Sequence, residues 1–159
     1  ELPLFENGFL TAGSSLGLSA NGLINAEATR QFAGRIIDDF DVRTTGVEAD
    51  AGSLSGGNMQ KFIVGREILQ DPCVLIISQP TWGVDPGAAQ AIHNSLLELA
   101  AKGAAIVVIS QDLDEIFSLC GRIAVLSDGH LSEAHQTAKV SVEEIGLLMG
   151  GLHGLEVVS

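Results

Sequence analysis

The chain has 159 residues, enough for one domain or part of a larger one, and with 46% of them hydrophobic it can bury a core. Eight Lys and Arg against twenty Asp and Glu give a net charge of −12, which argues against nucleic acid or an anionic membrane surface as the main partner. No stretch reads as a signal peptide, and no apolar run approaches the ~20 residues of a membrane span. Cys73 and Cys120 sit in apolar segments without a C-x-x-C partner and read as buried free thiols, as in a reducing cytoplasm. A start at Glu1 rather than Met suggests a fragment or a processed chain.

Residues 1–25 are rich in Gly, Ser, Asn and Leu without a sustained period, and read as loop with a short helix. Asn25 is a suitable N-cap for a helix from Ala26 to about Phe40, with an apolar stripe of Ala28, Phe32, Ile36 and Phe40 widened by Ala33 and Ile37. Residues 41–53 are polar and turn-rich and form a connector. A second helix is expected from about Gly56 to Leu69, with Met59, Phe62, Ile63, Arg66 and Leu69 on one face and Asp71-Pro72 ending it. Cys73 to Ile77 is a continuous apolar run of strand length, as expected for a strand buried on both faces. After a turn marked by Pro80, Gly83 and Pro86, a helix from Pro86 to about Ala101 presents Ala88, Ala91, Ile92, Leu96 and Leu99 inward, and Lys102-Gly103 closes it.

Ala105 to Ile109 reads as a second buried strand. Asp112 to Leu119 reads as a short helix with Leu113, Ile116 and Phe117 inward, and Arg122 to Leu126 as a third strand. Asp128-Gly129 is a hairpin signal, so His130 to Ala134 should pair back antiparallel. Ser141 with Glu144 three residues on is a capping box for a last helix to about Met149. Strands alternating with helices define an α/β chain with a mainly parallel sheet, helices on both faces and a C-terminal antiparallel hairpin.

The chemistry centres on residues 54–61, Leu-Ser-Gly-Gly-Asn-Met-Gln-Lys. Ser55 is a good N-cap, and Gly56 and Gly57 leave the first-turn amides uncovered. A helix start with bare amides and a positive dipole end is a ready anion site, phosphate above all; an ordinary Ser-capped helix after a glycine turn is the plain alternative. Three further stretches follow in order: Ile76-Ile77-Ser78-Gln79-Pro80-Thr81, Gly83-Val84-Asp85 and Ile109-Ser110-Gln111-Asp112. Together the four resemble, from Leu54 to about Gly150, the signature motif, Walker B strand end, D-loop and switch loop of ATP-binding cassette (ABC) ATPases. Asn58 stands where most of that family has Gln. With Gly-Val-Asp-x-Gly-Ala after the strand, the chain looks most like the second cassette of importers for simple sugars and nucleosides.

What the resemblance implies is a P-loop NTPase-like fold, of which this is the C-terminal half. Residues 1–53 would belong to the helical subdomain and a connector, and 54–159 to the signature helix and the C-terminal half of the core. A Walker A loop is absent: Lys61, Lys102 and Lys139 follow Gln60, Ala101 and Ala138, so none stands in a Gly-Lys-Ser/Thr sequence. The family places Asp-Glu where this chain has Ser78-Gln79. Ser78 has no charge to offer a divalent ion, and Gln79 cannot act as a general base near neutral pH. Gln111 replaces the switch histidine. The chain's own Walker B face would therefore be weak or silent in hydrolysis.

In paired cassettes the signature motif serves the nucleotide bound to the opposite domain. Ser55, Gly56, Gly57 and Asn58 would contact that ATP in trans, and Asp85 would carry the D-loop carboxylate across the interface. ATP and Mg²⁺ would belong to the full assembly, with neither expected on this chain alone, which would not hydrolyse ATP by itself. The implied partners are a second cassette, membrane permease subunits and, indirectly, a substrate-binding protein, at the cytoplasmic face of the bacterial inner membrane. A non-catalytic ABC-like module for protein interaction or regulation is the alternative. A cassette ATPase of chromosome maintenance or DNA repair is disfavoured, because residues 1–50 carry no heptad repeat and the charge is acidic. Trp82 reads as core or interface packing in preference to base stacking. His93, His130, His135 and His153 show no metal spacing, and the carboxylates Asp112, Asp114 and Glu115 suit a helix start.

Overall fold

A computed structural model describes residues 2–151. The chain divides into two compact units, Glu1–Ile109 and Ser110–Ser159.

The first unit opens with helix α1, Leu4–Ala12, whose buried residues Leu4, Gly8 and Ala12 repeat every fourth position. Pro3 precedes it and offers no side-chain cap. The connector satisfies that end instead: Leu4 N donates to Ala49 O at 2.9 Å and Phe5 N to Val47 O at 3.0 Å. The stretch after α1 is not plain loop. Strands β1, Ser19–Ala20, and β2, Leu23–Ile24, form a small hairpin around Asn21 and Gly22, both at positive φ. Asn-Gly in this setting is the two-residue turn that matches strand twist.

Helix α2, Ala26–Asp39, starts where expected, with Asn25 Oδ1 accepting from Ala28 N at 3.1 Å. Phe32, Ala33, Ile36 and Phe40 are buried, so the stripe read from the sequence does face the core. Helix α3, Gly56–Ile68, buries Lys61, Phe62, Val64, Gly65 and Ile68. That face is rotated from the expected one, and Ile63 is 38% exposed. The cause is a close crossing: a Cβ on Gly65 would lie 2.6 Å from Phe40 Cδ2 and 3.0 Å from Ile36 Cγ2. The glycine, with no side chain to show in a hydrophobic pattern, decides which face meets α2.

Strand β3, Val74–Ser78, and strand β4, Ala105–Ile109, run parallel with Val74 opposite Ala105 and Ser78 opposite Ile109. Helix α4, Pro86–Ala101, connects them and buries Ile92, Leu96 and Leu99, whereas Ala91 is exposed. The strands are not buried on both faces. Leu75 and Ile77 point inward, while Val74 is 63% and Ile76 68% exposed, and Val107 and Ile109 lie on that same open side. A strand follows its period-2 alternation wherever only one face is covered. Cys73, just before β3, is likewise exposed rather than buried.

The second unit begins with α5, Leu113–Leu119, capped by Asp112. Ile116 is buried as expected, and Glu115 joins it, with Leu113 and Phe117 only half-buried. The expected third strand is broken into β5, Arg122–Ile123, and β6, Leu126–Ser127. Val125 N donates to the Ser132 hydroxyl at 2.9 Å, a side-chain bond in place of a ladder bond. Strand β7, His130–Leu131, pairs back on β6 around Asp128-Gly129, and β8, His135–Gln136, pairs with β5. Helix α6, Val142–Met149, carries the full capping box of Ser141 and Glu144. Burial holds the Cys120 thiol above its ordinary pKa, with the nearby Glu115 adding to the shift.

The glycines of α2 and α3 make a test. Gly65→Ala must displace Phe40 and should cost about 1–3 kcal/mol in urea unfolding. Gly34→Ala meets nothing within 4 Å and should stabilise by about 0.4–1 kcal/mol. Equal effects from the two would show that the α2–α3 crossing is not set at Gly65.

Candidate functional site

The N-terminus of α3 and the loop before α4 enclose an open cleft of about 560 Å³. Ser55, Gly56, Gly57, Asn58, Gln60 and Lys61 form one wall, and Trp82, Gly83, Val84 and Asp85 the other, with Arg43 from the connector at the edge. Four local features join the walls. Gly57 lies so close to the opposing loop that a Cβ there would sit 2.7 Å from Gly83 O. Gly83 turns the chain at φ +72. Gln60 Nε2 donates to Gln79 O at 2.9 Å and to Pro80 O at 3.2 Å. Lys61, 6% exposed, donates from Nζ to Asp41 O at 3.0 Å and stands 3.9 Å from Asp85 Oδ2.

The helix start is open toward the cleft. Gly56, Gly57 and Asn58 are the first three residues of α3, whose N–H groups have no partner within the helix. A Cβ on Gly56 would meet nothing within 4 Å. Ser55 precedes the helix in the extended conformation a cap requires, yet its side chain makes no cap bond. That corrects the expectation of a Ser-capped helix. The Ser55 hydroxyl oxygen instead accepts from Asn58 Nδ2 at 3.0 Å, and Asn58 Oδ1 accepts from Arg43 N at 2.9 Å.

Asp85 faces this end from the other wall and has a second duty. Its carboxylate accepts from Ala88 N at 3.0 Å and so caps α4. That backbone bond holds the carboxyl below its ordinary value, and the Lys61 ammonium adds to the effect. The cleft thus gathers backbone donors, one hydroxyl, Arg43 and one carboxylate that stays ionised through the physiological range. A phosphate group fits the donor-rich side.

The expected hydrolysis positions lie outside the cleft. Ser78 ends β3 and is exposed. Gln79 follows at φ +50, with its backbone fixed by bonds to Ile109, Gln60 and Trp82. Neither lines the cleft. No carboxylate stands at that strand end, so the residues there do not fit a magnesium shell. Among the described residues no group of three or more His, Cys, Asp or Glu is placed to hold a metal. Gln111 belongs to the second unit, where it is exposed next to the α5 cap Asp112. His153 lies outside the described residues. Trp82 is not core: it is 73% exposed on the cleft wall. The sequence gives no sign of Arg43, and it marks Gln60 and Lys61 only as the end of the 54–61 stretch. Only the helical spacing of Lys61 from Gly65 and Ile68 hinted that it faces inward.

No family model matches the chain. It is 39% identical over 151 residues to the nucleoside import ATP-binding protein of Lactococcus lactis subsp. cremoris, a match covering 95% of this chain and 30% of that one. It is 42% identical over 124 residues to the glucose import ATP-binding protein of Haloferax volcanii, covering 77% of this chain and 22% of that one. In fold it is similar to the solved ATP-binding subunit of an ABC transporter, with a TM-score of 0.72 at 24% identity over 94% of this chain and 63% of that one. The chain belongs to the ATP-binding cassette family and carries the α/β fold of a partial cassette. Its relatives within the family are import ATP-binding proteins for nucleosides and sugars. It spans less than a third of their length.

Asp85 gives the cleft a measurable signature. Its carboxyl should titrate below the ordinary aspartate value of 3.8 in a carbon-detected NMR titration. Because the folded pKa is the lowered one, the stability it contributes is complete above the unfolded value and is lost as pH falls through the folded value, below about pH 3.8. Asp85→Asn should remove that part of the acid sensitivity. Titration at or above the ordinary value would show that the cap on α4 is not formed.

Proposed function

We propose that this chain is the C-terminal half of a second cassette in the ATP-binding subunit of a bacterial ABC importer for a simple sugar or nucleoside. Its cleft receives the phosphate end of an ATP held by the partner cassette. One observation carries the reading: the uncapped first turn of α3 opens, with the Ser55 hydroxyl, onto a formed cleft. N–H groups at a helix start favour an anion by hydrogen bonding and by the helix dipole. Ser55, Gly56 and Gly57, with Asn58 beside them, act on a nucleotide bound elsewhere, and Asp85 supplies the D-loop carboxylate facing that interface.

The chain's own Walker B face does not hydrolyse ATP on this reading. Ser78 and Gln79 provide neither a charged anchor for Mg²⁺ nor a general base, and Gln111 removes the switch histidine. Residues 1–53 are assigned to the helical subdomain and connector, and 54–159 to the signature helix and core half. The importer reading brings a first cassette, permease subunits and, indirectly, a substrate-binding protein, at the cytoplasmic face of the inner membrane. No helix among the described residues is long and apolar enough to cross a membrane. The net charge of −12 opposes a nucleic-acid partner.

The uncharged trio Ser78, Gln79 and Gln111 equally suits a second reading, a non-catalytic cassette-like module for protein contacts or regulation. ATP turnover by the paired-cassette protein separates the two. On the importer reading, Ser55→Phe fills the cleft and lowers turnover by about a hundredfold or more, the scale of losing a transition-state donor, while Gln79→Ala leaves it nearly unchanged. A Gln79→Ala loss as large as that of Ser55→Phe would defeat the asymmetry. Turnover indifferent to both changes would favour the regulatory module.

A further inference from the structure

Among the described residues, five α-helices start at a polar N-cap residue, and four of them use that side chain in the same way. Asn25 accepts from Ala28 N at 3.1 Å, Asp85 from Ala88 N at 3.0 Å, Asp112 from Glu115 N at 3.1 Å and Ser141 from Glu144 N at 3.2 Å. Ser55 has the extended backbone of Asp85 and Ser141, with φ −64 and ψ 155, but makes no such bond. The equivalent donor would be the N–H of Asn58 itself. Beside it the Asn58 side chain donates to Ser55 Oγ at 3.0 Å while its own carbonyl accepts from Arg43 N at 2.9 Å. The amide is fastened at both ends, to the connector on one side and to the serine on the other.

An asparagine at the third helical position is well suited to this. Its side chain is short enough to fold back onto the residue three earlier, and its amide offers a donor and an acceptor at once. A serine hydroxyl has one proton to donate and two lone pairs. One lone pair is taken by Asn58, and the hydroxyl proton has no acceptor among the described residues. We propose that Asn58 is a positioning residue: it holds the Ser55 hydroxyl away from its own helix, so the first-turn N–H groups stay uncapped and the hydroxyl proton stays available to an external anion. Its effect on a nucleotide passes through Ser55, and that consequence rests on the reading of the cleft given above. The local switch in hydrogen bonding does not.

The test is amide hydrogen exchange in the 159-residue chain, corrected for intrinsic rates. Asn58→Ala releases Ser55 Oγ to accept from the N–H of residue 58, as the other four caps do. Exchange at that amide should slow about fivefold, the equivalent of a cap of about 1 kcal/mol. Adding Ser55→Ala should abolish the slowing. Asn58→Asp keeps an acceptor for Arg43 N and removes the donor toward Ser55 while adding a first-turn carboxylate, so it should show slowing at the same amide should the alanine variant loosen the connector. Unchanged exchange in both single variants, or slowing that survives Ser55→Ala, overturns the proposal. This pattern needs no nucleotide. Its failure would leave the Ser55 turnover test standing, and failure of that test would leave this pattern intact.

Discussion

The backbone of Gly57 rests against the carbonyl of Gly83 with no room for a side chain between them. Everything specific to the cleft follows from that approach. It sets the start of α3 beside the loop that leads into α4, and it requires glycine at 57 for space and at 83 for a positive φ. Lys61, one turn further along α3, reinforces the contact from below, with its buried ammonium between Asp41 and Asp85. A buried charge is tolerated only where such partners meet it. The cost of burying Lys61 ties the helix, the connector and the loop to one arrangement.

On the proposed reading, that arrangement separates recognition from hydrolysis. The cleft side is rich in donors and keeps its hydroxyl and amides open. The end of β3 offers only the uncharged side chains of Ser78 and Gln79. Loss of a positioned base typically lowers a rate by about 10²–10⁴, whereas backbone donors cannot be lost by side-chain drift. On the proposed reading, the chain kept the part of its chemistry that serves a nucleotide held elsewhere and lost the part that would serve its own.

Much of the local structure was legible because it obeys short-range rules. Asn25, Pro86, Asp112, and Ser141 with Glu144 each mark a helix start, and the α2 stripe follows from simple periodicity. The misreadings share a different origin. The face of α3 was set by Gly65 against Phe40, twenty-five positions apart in the chain. The apolar run before Ser78 looked doubly buried, yet only Leu75 and Ile77 have a layer over them. Ser55 looked like a cap because a side-chain competitor three residues on is invisible to a cap rule. Of the two places the sequence suggests for Trp82, core or interface, its 73% exposure on the cleft wall rules out the core. The Asn21-Gly22 turn is a hairpin signal, but the strands it joins are only two residues each and give no period to read. The motif order from Leu54 onward carried the family, and the folded cleft then showed that Ser55, Gly56, Gly57, Asn58 and Asp85 meet while Ser78 and Gln79 stand outside it.

Trp82 is the sole tryptophan of the chain and is largely exposed on the cleft wall, so its fluorescence reports directly on occupancy. Titrating the 159-residue chain with Mg²⁺-ATP is therefore the most direct measurement. A cleft that supplies only one side of a nucleotide site should show no saturation below the millimolar range. Saturable micromolar binding, with a Trp82 response that Ser55→Phe abolishes, would mean that this chain holds ATP by itself and would contradict a site completed by another cassette.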